Sequence, residues 1–101
     1  MYNLMSYTGA PLEIVKNLEN TEVPETYSGE FECILSREDA DGTWYFENKE
    51  ITPSLKYVVS ARRGRHSLAV KDVKKEDQGK YTFKVGDLKT SASLKMKGDN
   101  E

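Results

Sequence analysis

Apolar and polar residues alternate along much of the chain with a period of two. Within segment 27–36, Phe31, Cys33 and Leu35 fall on one face, while Ile34 and two glutamates fall on the other. Alternation of this kind predicts a strand that is buried on one side and solvated on the other.

Five further segments show strand patterns, namely 43–48, 55–61, 66–73, 80–85 and 88–96. In four of them, apolar side chains of the same segment share one face of the strand. These are Trp44 with Phe46, Leu68 with Val70, Tyr81 with Phe83 and Val85, and Ala92 with Leu94 and Met96. Segments 11–15 and 20–25 each contain a proline and therefore suit sheet edges. Polar turns separate the strands, with a tight hairpin at Gly86-Asp87 and a single helical turn within 73–79.

Seven to nine short strands with no competing helical period predict an all-β sandwich or barrel. A chain of 101 residues corresponds to one domain. We expect residues 1–10 to be linker or non-native sequence, residues 11–97 to form the domain, and residues 98–101 to be a frayed exit.

The charge balance narrows the class of partner. The chain carries 15 basic and 17 acidic residues, a net charge of −2 with no basic cluster of the size that nucleic acids require. No apolar stretch reaches the length of a membrane span, and the first ten residues lack the pattern of a signal peptide. Cys33 is the only cysteine, so no internal disulfide forms. These features favour a reducing, intracellular location.

The sequence contains no recognisable catalytic machinery. It has no glycine-rich phosphate loop, no nucleophile elbow and no paired metal-ligand spacing. Glu38, Asp39 and Asp41 invite a calcium interpretation, but their spacing is not that of a calcium loop. A solvated loop is the preferred account, with weak ion binding as the alternative. We therefore expect no enzyme activity, no catalytic residue, no metal and no cofactor, although a parent chain carrying a kinase domain elsewhere stays open.

Segment 61–66 concentrates Arg62, Arg63 and Arg65 with His66, the only histidine. One hypothesis is a surface that binds an acidic partner or a phosphate. The other is a solvated hairpin turn whose arginines balance nearby carboxylates. Cys33, between two apolar neighbours on its face, is expected to be a buried and inert thiol; a redox role is the alternative.

The chain resembles an immunoglobulin domain of the intermediate set, which occurs as tandem modules in giant muscle proteins. Six residues occur in the order of that family, namely Cys33, Trp44, Leu68, Asp77, Gly79 and Tyr81. The resemblance covers about residues 11–97 and implies a Greek-key sandwich of two antiparallel sheets. It makes Cys33, Trp44, Leu68, Tyr81 and Phe83 core residues, with Asp77 and Gly79 in the corner motif, where the Tyr81 hydroxyl braces the backbone.

Phe83 departs from the family pattern, because it stands where a second cysteine would pair with Cys33. A disulfide closing a loop of this length is worth about 4 kcal/mol in the chain-entropy model. Burial of a phenylalanine is worth about 1.5–3 kcal/mol, so packing against Trp44 offsets much of the loss. The substitution suits a reducing compartment.

Local stretches are similar to modules of the titin family, ahead of those of the obscurin and myosin-binding protein C families. The resemblance implies a structural module of the sarcomere that bears tension and sets spacing in a tandem array. If the segment near 20–25 pairs with the strand at 88–96, pulling the termini loads that pairing in shear. Expected partners are neighbouring immunoglobulin or fibronectin-type modules and sarcomeric proteins, with no nucleic acid or membrane; the isolated domain is expected to be monomeric.

Two other functions stay open from the sequence. The domain is alternatively a protein-docking module of an obscurin-like scaffold, with the edge of the last strand and segment 61–66 as candidate surfaces. An extracellular adhesion domain is a third hypothesis, which the missing disulfide and the absence of an N-glycosylation motif disfavour.

Overall fold

Nine strands and one short 3₁₀ helix make up the part of the chain that the structure, a computed structural model, describes: residues 11–97. The strands are β1 (Ile14–Lys16), β2 (Thr21–Pro24), β3 (Gly29–Leu35), β4 (Thr43–Phe46), β5 (Lys49–Glu50), β6 (Tyr57–Arg62), β7 (Arg65–Val70), β8 (Gly79–Val85) and β9 (Leu88–Lys97). The 3₁₀ helix spans Lys75–Asp77 and connects β7 to β8. The expectations for residues 1–10 and 98–101 lie outside the described residues.

The strands form two sheets that enclose one core. The first sheet has the order β2-β9-β8-β4-β5, and the second has the order β1-β3-β7-β6. The pairs are antiparallel except for β2 and β9, which run parallel. The prediction of an all-β immunoglobulin-like sandwich is confirmed, with this parallel pair as an added feature.

The period-two pattern sets which side chains enter the core. In β3 every second residue is buried, from Gly29 to Leu35. In β9 the same alternation buries Thr90, Ala92 and Leu94. Because successive side chains of a strand point to opposite faces, this pattern suffices to build a core from both sheets. The fully buried larger side chains are Tyr81, Phe31, Phe83, Leu68, Leu94, Val70, Val73 and Cys33.

Two tight hairpins connect paired strands. Between β6 and β7 the turn consists of Arg63 and Gly64, with φ angles of 54° and 81°. Positive φ at both central residues is the requirement of a type I′ turn, whose twist matches that of the strands. Arg62 and Arg65, expected in the turn, instead form the last pair of the two strands. The predicted hairpin at Gly86-Asp87 is present between β8 and β9.

Some predicted strand limits differ from the structure. Leu55 and Lys56 precede β6 and do not belong to it. They lie in a turn, in which the amide of Ser54 donates to the carbonyl of Tyr57 at 2.9 Å. The side chain of Leu55 is 96% exposed. Thr82 lies on the outward face of β8 as predicted, yet it is buried and shares a 2.9 Å hydrogen bond with the Ser91 hydroxyl.

Candidate functional site

Aromatic packing occupies the centre of the sandwich where the family pattern would place a disulfide. The ring of Phe83 on β8 lies 4.8 Å from that of Trp44 on β4, measured between centroids. On its other side it lies 4.9 Å from the imidazole of His66 on β7. Phe83 and Cys33 are both 0% exposed. Phe83 therefore contacts both sheets and joins them through packing.

The thiol of Cys33 is poorly suited to chemistry. Burial, together with the nearby Glu32 carboxylate, raises its pKa to about 11. The thiolate is the reactive form of cysteine, so a thiol with this pKa stays protonated and unreactive at neutral pH. The geometry favours the expected buried, inert thiol over a redox role.

Gly42 leaves the space that the Phe83 ring needs. A Cβ at position 42 would collide with the tip of that ring and would lie 2.6 Å from the carbonyl oxygen of Lys84. The loop before β4 can therefore pass close to β8 only with glycine at this point. The alternation pattern of the sequence gives no sign of this packing role.

The indole N–H of Trp44 is buried without a hydrogen-bond acceptor within residues 11–97. An unpaired buried donor costs about 1–3 kcal/mol. The surrounding aromatic packing must outweigh this cost, since Trp44 is only 3% exposed.

The corner before β8 is held by Tyr81 and Asp77. The Tyr81 hydroxyl donates to the backbone carbonyl of Asp77 at 2.8 Å. Burial, reinforced by Tyr57, Asp77 and Glu47 nearby, raises the pKa of Tyr81 well above its usual range. The hydroxyl therefore stays protonated and remains a donor.

The Asp77 carboxylate connects three segments of the chain. One of its oxygens accepts from the amide of Lys74 at 2.8 Å and from the ammonium of Lys56 at 2.6 Å. The same ammonium donates to the carbonyl of Asp72 at 3.0 Å. The aspartate of the motif thus caps the 3₁₀ helix and ties it to the segment before β6.

Gly79 is required by its backbone geometry and by its neighbours. Its φ angle is 147°, a region that side-chain-bearing residues rarely adopt. A Cβ there would also collide with the carboxylate of Glu47 and lie 2.8 Å from the ring of Phe46. That Glu47 carboxylate accepts from the amide of Lys80 at 2.9 Å. Glycine allows the turn after β4 to bond directly to β8.

The second strand and the last strand of the described chain, β2 and β9, lie side by side in one sheet. β2 pairs with β9 in parallel register, from Thr21 opposite Leu94 to Pro24 opposite Lys97. Asn20 extends the contact, because its side-chain oxygen accepts from the amide of Ser93 at 2.9 Å. The pairing that the sequence suggested between these segments is therefore present.

The three arginines predicted as a partner surface lie together. Arg62, Arg63 and Arg65 line a shallow recess of about 330 Å³ with Ile34. Arg65 approaches the Glu32 carboxylate at 3.4 Å. Within residues 11–97, no carboxylate lies within 4 Å of Arg62 or Arg63. The arrangement thus combines features of both hypotheses, with one balanced cation and two that remain available.

The prediction that His66 belongs to a solvated turn is wrong. Its side chain is 4% exposed, because it shares the inward face of β7 with Leu68 and Val70. Burial lowers the pKa of the imidazole, and this effect is opposed by the Asp41 carboxylate and the Ala40 backbone. The sequence contained a signal for this placement: His66 lies two positions before Leu68, so the period-two pattern puts both on the same face.

The acidic loop after β3 contains an ion pair. Arg37 donates to the Asp39 carboxylate at 3.1 Å and 3.3 Å, and this contact lowers the pKa of the carboxyl group. No group of three or more histidine, cysteine, aspartate or glutamate side chains in residues 11–97 is arranged to hold a metal ion. Nor does any helix in this part of the chain have the length and apolar character needed to cross a membrane.

Comparisons with known proteins agree with this architecture. A family model described as the immunoglobulin I-set domain matches residues 12–97. Fast-type myosin-binding protein C of Homo sapiens is 32% identical over 85 residues, which cover 84% of this chain and 7% of that protein. Drosophila melanogaster titin is 32% identical over 83 residues, 81% of this chain and, after rounding, 0% of that protein.

A solved structure gives the same result. The crystal structure of domain I10 from titin superposes with a TM-score of 0.83 at 33% identity, covering 87% of this chain and 100% of that one. The chain spans less than a tenth of the length of the curated relatives it matches.

Proposed function

The chain belongs to the immunoglobulin I-set family, and we propose that it acts as a non-catalytic structural module of a sarcomeric protein. Residues 11–97 would form one link in a tandem array and carry tension between neighbouring immunoglobulin or fibronectin-type modules. The similarity to titin and myosin-binding protein C supports the proposal that the parent protein is sarcomeric. The relatives are far longer than this chain, as a tandem arrangement requires.

The observation that carries the proposal is the parallel pairing of β2 with β9. The chain enters the sheet at Thr21 and leaves it after Lys97, and both strands run in the same direction. A force that separates the two ends therefore pulls β2 and β9 past each other along their length.

Shear along the strands loads the hydrogen bonds of the pair together. Each backbone hydrogen bond contributes only about 0.5–1.5 kcal/mol net. In shear they must break in one step, so the pair resists force until an abrupt opening. The side-chain contact of Asn20 with the Ser93 amide extends the same line of bonds.

Two lysines of β9 provide a matched test. The amide of Met96 donates to the Gln78 side chain, on the β8 side. Because bonding direction alternates along a strand, the Lys95 amide points toward β2, opposite Glu22. Lys89 has the same outward orientation but lies before the paired segment, which begins at Leu94. Proline at either position removes one outward N–H.

We expect Lys95→Pro to lower the unfolding force in single-molecule pulling and the free energy of unfolding by about 1 kcal/mol. Lys89→Pro should leave the unfolding force near that of the wild type. Equal unfolding forces for the two variants would contradict the mechanical role of the β2–β9 pair.

A second candidate function is protein docking. It is favoured by Arg62 and Arg63, which have no carboxylate partner within residues 11–97. The other docking surface expected from the sequence, the edge of the last strand, is partly covered, because β2 pairs with Leu94–Lys97.

A further inference from the structure

β6 is a long sheet edge that the described chain leaves unpaired on one side. It is the last strand of the four-stranded sheet and contacts only β7 through its ladder. Five of its six residues are exposed. From Tyr57 to Ala61 it carries no charged residue and no proline. An exposed apolar edge of this kind is a template for pairing with another strand.

The other edges lack these properties. β1 and β5 are short, with three and two residues. β2 has four residues and ends in Pro24. The part of β9 that extends beyond β2 carries Lys89. Short edges, prolines and lysines are the usual means of preventing edge-to-edge pairing. Within residues 11–97, β6 is the edge without such protection.

The hairpin turn determines which backbone groups of β6 are free. In a two-residue type I′ hairpin the flanking residues, Arg62 and Arg65, form a hydrogen-bonded pair. Bonding direction then alternates along the strand, so the N–H and C=O groups of Val59 and Ala61 point away from β7. Tyr57 has the same orientation, but its carbonyl already accepts from Ser54. Two residues therefore offer complete sets of backbone donors and acceptors.

A recess adjoins this edge. It has a volume of about 540 Å³ and is open to solvent between the ends of β5 and β6, with Phe46, Ile51 and Tyr57 among its lining residues. Tyr57 belongs to the row of β6 that faces the other sheet, since its pairing partner Val70 is buried. Every second side chain of an added strand would lie on the same side of the sheet as Tyr57, and those beside Tyr57 would lie next to this recess.

The charges near β6 select the kind of strand that fits. Arg62 and Arg63 stand at its C-terminal end without carboxylate partners in the described residues. Lys56, at the other end, is already bonded to Asp77. An antiparallel partner would bring its N-terminal residues next to the two arginines, so acidic residues are favoured there.

We propose that β6 binds an extended segment of a partner protein, which adds to the sheet as an antiparallel strand through Val59 and Ala61. The segment has apolar side chains at alternate positions and carboxylates at its N-terminal end, facing Arg62 and Arg63. This proposal does not depend on the mechanical function, because the β2–β9 pair belongs to the other sheet.

The probe is the blocked peptide acetyl-Glu-Glu-Val-Thr-Val-Thr-Val-amide, added to isotope-labelled protein. We expect chemical-shift changes along β6 and slower hydrogen exchange at the amides of Val59 and Ala61. A peptide with Lys-Lys in place of Glu-Glu should bind about tenfold more weakly at low salt, since it faces two arginines. Absence of slowed exchange at both amides at millimolar peptide would overturn the proposal.

A pair of variants separates edge pairing from general attraction. Val59→Lys places a charge on the docking edge, and we expect it to weaken peptide binding about tenfold. Val15→Lys makes the same change on β1, where the side chain is 64% exposed, and should bind as the wild type does. Equal affinities for both variants would contradict docking at β6. If exchange of the β6 amides slows with rising protein concentration in the absence of peptide, the occupant of this edge is a second copy of the chain. That result would overturn the proposal.

Discussion

His66 shows how a single residue can be misplaced by its neighbours in sequence. It follows three arginines within five positions, which indicates solvent, yet it lies in the core against Phe83. The alternation of β7, followed backwards from Val70 and Leu68, places it on the buried face. Periodicity therefore outweighed local composition at this position, because β7 begins at Arg65, directly after the turn of Arg63 and Gly64.

Burial of His66 makes stability depend on pH. The unfolded chain binds a proton at the imidazole near pH 6.5, whereas the folded chain binds it only at lower pH because the folded pKa is lowered. Unfolding therefore takes up a proton below about pH 6.5. We expect the free energy of unfolding to fall as the pH is lowered from 7.5 to 5.5, by up to about 1.4 kcal/mol for each unit of pKa difference.

The variant His66→Phe tests this assignment, since it keeps a ring beside Phe83 and removes the titrating group. Urea unfolding at several pH values should give a flatter profile for the variant between pH 5.5 and 7.5. If the wild type and the variant show the same slope, another group is responsible for the pH dependence.

At the scale of elements, the corner between the 3₁₀ helix and β8 depends on one hydroxyl. Tyr81→Phe keeps the ring, which packs 5.0 Å from Phe31 and 4.6 Å from Phe46, and removes the hydrogen bond to Asp77. Because a buried carbonyl loses its donor, we expect a loss of about 1–3 kcal/mol in the free energy of unfolding.

The matched control for the corner is Tyr27→Phe, where the side chain is 63% exposed. Its effect should stay within about 0.5 kcal/mol. Chemical denaturation of both variants measures the difference. Similar values for the two would mean that the Tyr81 hydroxyl does not brace the corner.

Strand positions were largely predictable from the sequence, and strand neighbours were less so. The alternation in β3, β8 and β9 depends on side chains of the strand itself, so the pattern is visible along the chain. The exposure of β6 and the partial covering of β9 depend on which strand lies alongside, and this information is spread over distant residues. The corner motif of Asp77, Gly79 and Tyr81 was recognisable, but the ion pair to Lys56 was not, since 21 positions separate the partners.

At the scale of the whole molecule, Phe83 joins the two sheets where a disulfide would. Under reducing conditions, we expect Phe83→Cys to lower the free energy of unfolding, because the aromatic contact with Trp44 disappears. The loss should come close to that of a Phe→Ala change, which is about 3–5 kcal/mol. Oxidation should recover about 4 kcal/mol if a bond to Cys33 closes the loop.

Denaturation with and without reductant, together with thiol titration of the unfolded protein, measures both effects. Phe83→Ser is the control, because it creates a similar cavity and cannot form the bond. Two free thiols in the oxidised cysteine variant would mean that positions 33 and 83 do not face each other across the core.

The aromatic core also determines how much chain one unfolding event releases. The 87 residues from 11 to 97 span about 300 Å when fully extended. A covalent link between positions 33 and 83 would withhold about half of that length, since the enclosed loop could not straighten. With Phe83 in its place, the whole contour length becomes available in a single step. In the tandem array proposed above, the domain would then act as a reserve of extension as well as a spacer.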